Sequence, residues 1–174
     1  MFTEVNNKAL QFFLKNPTKT FHLREIARQI KLSAAGTLKS LRRLEENSLV
    51  IRQKTKATDN FKANLKNKEF QNLKYIYNIY SIKGSGLIDF LNDRYSFPEA
   101  IILFGSYSKG EDLETSDIDI AIITKKELSF DLSKFEKLLE RKIVVHEISL
   151  EKASKEFINN LINGIILSGY LKIK

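Results

Sequence analysis

The chain has 174 residues, 43% of them hydrophobic, with a net charge of +8 and no cysteine. That is enough apolar material for one packed domain or two small ones, and it excludes a disulfide framework, a thiolate metal site and a cysteine nucleophile. No apolar stretch approaches the roughly 18 residues of a membrane span, and the start MFTEVNNKAL lacks the layout of a signal peptide, so a cytoplasmic protein away from membranes is expected.

The charge is unevenly spread. Residues 1–98 carry 18 Lys/Arg against 8 Asp/Glu, and residues 99–174 carry 11 against 13. Basic character therefore belongs to the first half, for which nucleic acid is the natural partner.

In chain order, Val5 to Leu14 has near-helical apolar spacing, and Asn16-Pro17 ends that helix. Thr20-Phe21-His22 is short and extended. Leu23 to Ile30 is helical, with Leu23, Ile26, Ala27 and Ile30 on one face. After the Lys31-Leu32 turn, Ser33 is a good N-cap for a helix running to about Asn47. Its expected inward set is Leu38, Leu41 and Leu44. Its expected outward set includes Ala34, Thr37, Lys39, Ser40 and Arg43. Leu49 to Gln53 and Phe61 to Leu65 read as strands around a polar turn, forming a basic hairpin.

Helix, short turn, helix and basic hairpin together resemble the winged helix-turn-helix family over residues 20–65. The resemblance implies a recognition helix over Ser33 to Asn47 and a wing over Gln53 to Lys62, with double-stranded DNA as partner. Small residues Ser33, Ala34 and Gly36 suit entry into a major groove. Lys39, Arg42, Arg43, Lys54, Lys56 and Lys62 are candidates for phosphate contacts, and Arg28 and Arg43 for base contacts. The same fold also serves as a protein–protein module.

Asn67 to about Tyr95 reads as helical, in two pieces around Gly84-Ser85-Gly86. It suits a connecting helix or a dimerisation element. Tyr75, Tyr77 and Tyr80 have the chemistry to stack on bases, although such aromatics more often pack internally.

The densest chemistry follows. Ile101 to Phe104 reads as a buried strand, Gly105-Ser106 breaks it, and Asp117-Ile118-Asp119-Ile120 leads a second strand after ten intervening residues. Strand alternation puts Asp117 and Asp119 on one face, where paired carboxylates suit a magnesium or manganese ion. Gly105 allows a sharp turn or close backbone approach, and Ser106 offers a hydroxyl, with amides beyond it if a helix starts there. Phe130 to Arg141 and Lys152 to Asn163 read as helices, Lys142 to Ser149 as a third strand, and Ile165 to Leu167 as a last one.

The motif Phe104-Gly105-Ser106, spacer, Asp117-Ile118-Asp119-Ile120 resembles the polymerase-beta-type nucleotidyltransferase superfamily, especially its minimal members. The resemblance implies that Gly105, Ser106 and Lys109 hold nucleotide phosphates. It implies that Asp117 and Asp119 hold Mg2+ or Mn2+, and that a nucleoside triphosphate, with ATP favoured, donates a nucleoside monophosphate. Some minimal members act as antitoxins that adenylylate a partner toxin, and the Gly-Ser-x10-Asp-x-Asp spacing here is similar to theirs. Active members add a third carboxylate from a neighbouring strand. Two registers are open for Ile143 to Ser149: one turns Glu147 to the site as that third catalytic group, and the other turns His146 there and leaves no acid.

The expected fold class is α+β in two domains. A winged helix-turn-helix spans residues 1–66, a helical connector 67–96, and a small mixed α/β nucleotidyltransferase-like sheet 97–174. Two functions fit: a DNA-binding nucleotidyltransferase, or a transcriptional regulator whose transferase domain is a degenerate sensor or interaction module.

Overall fold

The structure is a computed structural model that describes residues 7–54 and 58–172. Val5, at the expected start of the first helix, and Lys56 of the expected wing lie outside the described residues. The fold divides into two compact units, Met1–Tyr77 and Asn78–Lys174.

In the first unit, α1 (Lys8–Lys15) is capped by Asn7, whose side chain accepts from the Ala9 and Leu10 amides. Strand β1 (Thr20–His22) leads into α2 (Leu23–Ile30). Lys31 then takes a left-handed conformation (φ 55°), and the Leu32 amide reaches back to the Ala27 carbonyl at 3.0 Å. This closes α2 within one residue, as left-handed C-caps do. Ser33 opens α3 (Ala34–Glu46) at once, its hydroxyl accepting from the Gly36 amide at 3.1 Å.

Strands β2 (Val50–Lys54) and β3 (Asp59–Ala63) form an antiparallel hairpin, and β1 pairs with β3, giving the order β1-β3-β2. A 2.6 Å Arg52–Asp59 ion pair spans the hairpin, and its hydrogen bond holds Asp59 below the usual carboxylate range. Two helices joined by a tight turn and followed by a small antiparallel sheet constitute a winged helix-turn-helix. Its core gathers Leu10, Phe13, Ile26, Leu41, Phe61, Phe70 and Leu73, all fully buried.

One expectation for α3 is corrected. Thr37 is completely buried, with Leu41 and Leu44 on the same face, while Leu38 is only partly buried. The 37, 41, 44 spacing is as regular as 38, 41, 44. A threonine methyl packs well, so its hydroxyl gave a misleading outward preference. Thr37 is therefore not a DNA contact.

Helix α4 (Lys68–Gly84) spans the division between units. Its early turns bring Phe70 and Leu73 into the first core, and the buried Lys74 ammonium donates to the Leu14 carbonyl at 3.1 Å. Tyr77 packs on that core, while Tyr80 is exposed.

In the second unit, α5 (Leu87–Tyr95) precedes β4 (Ala100–Phe104), and a single 3-10 turn (Tyr107–Lys109) leads towards β5 (Ile118–Ile123). Then follow α6 (Ser133–Leu139), β6 (Ile143–Ile148), α7 (Lys155–Ile162) and β7 (Ile165–Gly169). The sheet order is β6-β5-β4-β7, with β5 and β6 parallel and the other pairs antiparallel.

Every residue of β4 is buried, because the sheet separates two cores. One holds Ile101, Leu103, Ile118, Ile120, Ile122 and Ile143 with Leu91 and Phe135 of α5 and α6. The other holds Ala100, Ile102, Phe104, Ala121 and Ile123 with Leu161 of α7. Covering both faces explains why these strands read as nearly continuous apolar runs.

Candidate active site

The site forms where β4 and β5 lie side by side. Phe104 is the antiparallel partner of Asp119, so Gly105 turns away directly over that carboxylate. A Cβ built on Gly105 would stand 2.6 Å from Asp119 Oδ2, and Gly105 has φ +73°. Glycine takes the left-handed backbone without strain, and any side chain there would require Asp119 to shift. Ser106 follows, half-buried, and the Ser108 hydroxyl donates to the Gly105 carbonyl at 2.8 Å. A one-turn 3-10 segment, Tyr107–Lys109, follows Ser106. Lys109 ends it, exposed to solvent.

Asp117 and Asp119 are both half-buried and alternate on one strand edge, with Ile118 and Ile120 in the opposite core. His146 Nε2 stands 3.4 Å from Asp119 Oδ1, and its ring meets Phe104 edge-on at 5.2 Å. Phe157 of α7 flanks the same ring at 6.2 Å. His146, left as one of two registers by the sequence, is thus beside the carboxylate pair.

Glu147 is not, which corrects its expected catalytic role. Parallel pairing matches Asp119 with Val144 and Ala121 with His146. These residues share a face, so Val144 occupies the position beside Asp119 from which a third carboxylate would reach. Glu147 pairs with Ile122 and points to the other core. There its Oε1 accepts from the Tyr95 hydroxyl at 2.5 Å and from the Leu128 amide at 2.6 Å. Burial, with the Glu147 partner, pushes the Tyr95 phenol above its ordinary range. Among the described residues, no group of three or more His, Asp or Glu side chains is arranged to hold a metal ion.

This assigns Glu147 a structural part, with a measurable consequence. Glu147→Ala removes two hydrogen bonds to a half-buried carboxylate and is expected to cost about 2 kcal/mol of stability. Nucleotide affinity should stay unchanged. Denaturant unfolding and nucleotide titration of the variant check both, and a selective loss of nucleotide binding would return Glu147 to the site.

The match to known proteins follows the same part of the chain. The nucleotidyltransferase domain family matches residues 85–172, half of the sequence. The chain belongs to the nucleotidyltransferase domain family. No curated protein matches the chain at significance. Among solved structures, it is similar to ZitR, a zinc-responsive MarR family member of Lactococcus lactis, at 15% identity and a TM-score of 0.40. The likeness covers 51% of this chain and 62% of ZitR, so the chain spans less than two thirds of that protein. It is similar to the adhesin competence repressor AdcR of Streptococcus pyogenes at 10% identity and 0.40, covering 52% and 67%. It is also similar to a possible transcriptional regulator from Methanosarcina mazei at 16% identity and 0.33, covering 51% and 72%. At these scores the winged-helix topology rests on the chain's own elements.

The other candidate surface is on the first unit. Ser33, Ala34, Lys39, Arg43 and Lys54 are exposed, and Ser40 is half-buried. The Ser33 hydroxyl is engaged as the α3 N-cap. Arg24 and Arg28 of α2 are exposed too, and sequence reasoning used only the second. No helix among the described residues is long and apolar enough to cross a membrane.

Judged by their donors, the site residues fit a divalent cation shared with a triphosphate. Two oxygen-only carboxylates suffice for magnesium when phosphate oxygens complete its shell. Val144, the β6 partner of Asp119, adds no carboxylate to this pair.

Proposed function

We propose that this protein is a DNA-binding regulator whose nucleotidyltransferase-family domain binds a nucleoside triphosphate with one divalent cation and transfers poorly. The observation that carries this reading is Val144 at the position paired with Asp119, with Glu147 turned into the opposite core. In this reading, Gly105 lets the phosphates approach the backbone, Ser106 donates to a phosphate oxygen, and Lys109 offsets its charge. Asp117 and Asp119 hold Mg2+ or Mn2+ against the phosphates. The bound cation neutralises triphosphate charge and polarises the α-phosphorus. What the described residues lack is a carboxylate on the face of β6 beside Asp119 to hold and deprotonate an acceptor hydroxyl. ATP is the favoured nucleotide by family resemblance.

A second reading has its own support. Gly105 still closes on Asp119, and the Gly-Ser-x10-Asp-x-Asp spacing is intact. Under that reading the domain transfers AMP to a partner protein, a toxin among the candidates, that brings its own activating group.

For the first unit, the exposed cations of α3 and the hairpin support duplex DNA. Binding should weaken with salt, and removing one phosphate-contacting lysine should reduce the log–log salt slope by about 1. The deciding experiment combines MgATP titration calorimetry, labelled-ATP transfer and duplex binding at several salt concentrations. MgATP binding and salt-sensitive DNA binding, with little transfer, are expected. Asp117→Asn with Asp119→Asn should remove the first and leave the second. Efficient AMP labelling of the protein or a partner would favour the second reading, and absence of MgATP binding would sink both.

A further inference from the structure

The turn that carries Gly105 and Ser106 is short, and little in its own sequence holds it. Its internal bonds include the Ser108 hydroxyl to the Gly105 carbonyl, the Lys109 and Glu111 amides to the Ser106 carbonyl, and the Gly110 amide to the Tyr107 carbonyl. Beneath it lies an unusual set of buried polar groups. Asn78 of α4 is 2% exposed and Asp112 is 1% exposed. The Asn78 side-chain amide donates to the Tyr107 carbonyl at 2.9 Å and to Asp112 Oδ1 at 2.7 Å. Asp112 Oδ2 faces Arg141 Nη2 at 3.6 Å, with side-chain exposures of 0% and 7%.

Three elements far apart in sequence thus meet under one turn. Asn78 comes from α4, Asp112 from the loop between the phosphate-facing turn and Asp117, and Arg141 from the residues leading into β6. Arg141 also donates through Nη1 to the Glu140 carbonyl.

Burying an aspartate and an arginine costs several kcal/mol of desolvation, and well-packed apolar residues of similar size are often as stable. Stability alone is therefore a weak reason for such a group. Specificity is a better one. The asparagine fixes the Tyr107 carbonyl, which accepts within the turn from Gly110. The aspartate anchors the far end of the turn. The arginine ties both to the approach to β6, whose next residue, Lys142, accepts the Ile118 amide at 2.8 Å between Asp117 and Asp119. One network therefore reaches both halves of the site.

We propose that Asn78, Asp112 and Arg141 are positioning residues that hold the Gly105–Ser106 turn in register with Asp117 and Asp119 for nucleotide binding. The proposal rests on the nucleotide-binding reading above. None of the three touches the nucleotide; they act through the turn.

The test compares the unsubstituted protein with Asn78→Leu, which keeps the branching and heavy-atom count of asparagine and none of the donated bonds. A second variant, Asp112→Leu with Arg141→Met, removes the ion pair without stranding a buried charge and covers the case in which Asn78→Leu does not fold. MgATP affinity is measured by calorimetry well below each variant's unfolding temperature, and amide hydrogen exchange is followed by mass spectrometry. Affinity should fall about tenfold, because the turn must then be ordered at the expense of binding. Exchange at Tyr107–Glu111 should quicken, while β4 and β5 keep their protection. Unchanged exchange in the turn, or faster exchange with unchanged MgATP affinity, overturns the proposal while the site reading stands. A purely stabilising network would instead quicken exchange across the whole sheet, which also overturns it. Absence of MgATP binding in the unsubstituted protein would overturn the site reading and the proposal together.

Discussion

Val144→Asp is expected to raise divalent-dependent nucleotidyl transfer about 100-fold, the lower end of what a positioned general base contributes. Val144 is half-buried and pairs with Asp119 across the parallel β5–β6 ladder. Neighbouring strands lie about 5 Å apart, and paired residues turn their side chains to the same face. A carboxylate there completes a three-acid set without moving the backbone. It also brings a third negative charge to a partly desolvated place, so the variant without metal should lose about 1 kcal/mol through like-charge repulsion. Manganese should return that loss, because a ligand that binds only the folded state stabilises it. Pyrophosphate release from ATP and label incorporation measure the first effect, and unfolding temperature with and without manganese measures the second. Val144→Asn serves as the uncharged control. If Val144→Asp gains neither transfer nor manganese-dependent stability, the missing third carboxylate does not explain weak transfer.

Gly105→Ala should have the opposite effect. The new methyl would lie 2.6 Å from Asp119 Oδ2, a distance that real contacts do not tolerate. Relief requires Asp119 to swing away from Asp117 or the turn to retreat from β5. Loss of one contact to a charged group, about 1.5–3 kcal/mol, should lower MgATP affinity about 10- to 100-fold. The left-handed backbone adds a further penalty of about 1–2 kcal/mol, visible in denaturant unfolding. DNA binding should persist, because the substitution lies in the other compact unit. Calorimetry, unfolding and a duplex-binding assay on one preparation separate these effects. Undiminished MgATP affinity would show that the Gly105–Asp119 approach has no part in the site.

Much of this architecture is legible in the sequence. Ser33 as a cap, the Lys31-Leu32 turn and the basic hairpin announce the first unit through local chemistry: a capping hydroxyl, a left-handed C-terminus and strand alternation each act within a few residues. Gly105-Ser106 and Asp117-x-Asp119 were readable for the same reason, since a turn residue and a period-two carboxylate pair keep their meaning in isolation.

What escaped the sequence depended on which face a residue chose. Thr37 and Leu38 were both acceptable inward residues by spacing, and only packing against Leu41 and Leu44 selected Thr37. In Ile143 to Ile148 both faces are covered, so apolar alternation no longer distinguishes them. A one-residue slip exchanges Glu147 for His146, and the β5–β6 pairing alone decides it. The Asn78–Asp112–Arg141 group was invisible for a related reason, because its members come from three separated segments. The sequence by itself thus determined the two-part organisation, the Gly105-Ser106 turn and the carboxylate pair, all local patterns. Only the tertiary structure decided that Val144 stands where a third acid would, because strand register is a property of pairing and not of either strand alone.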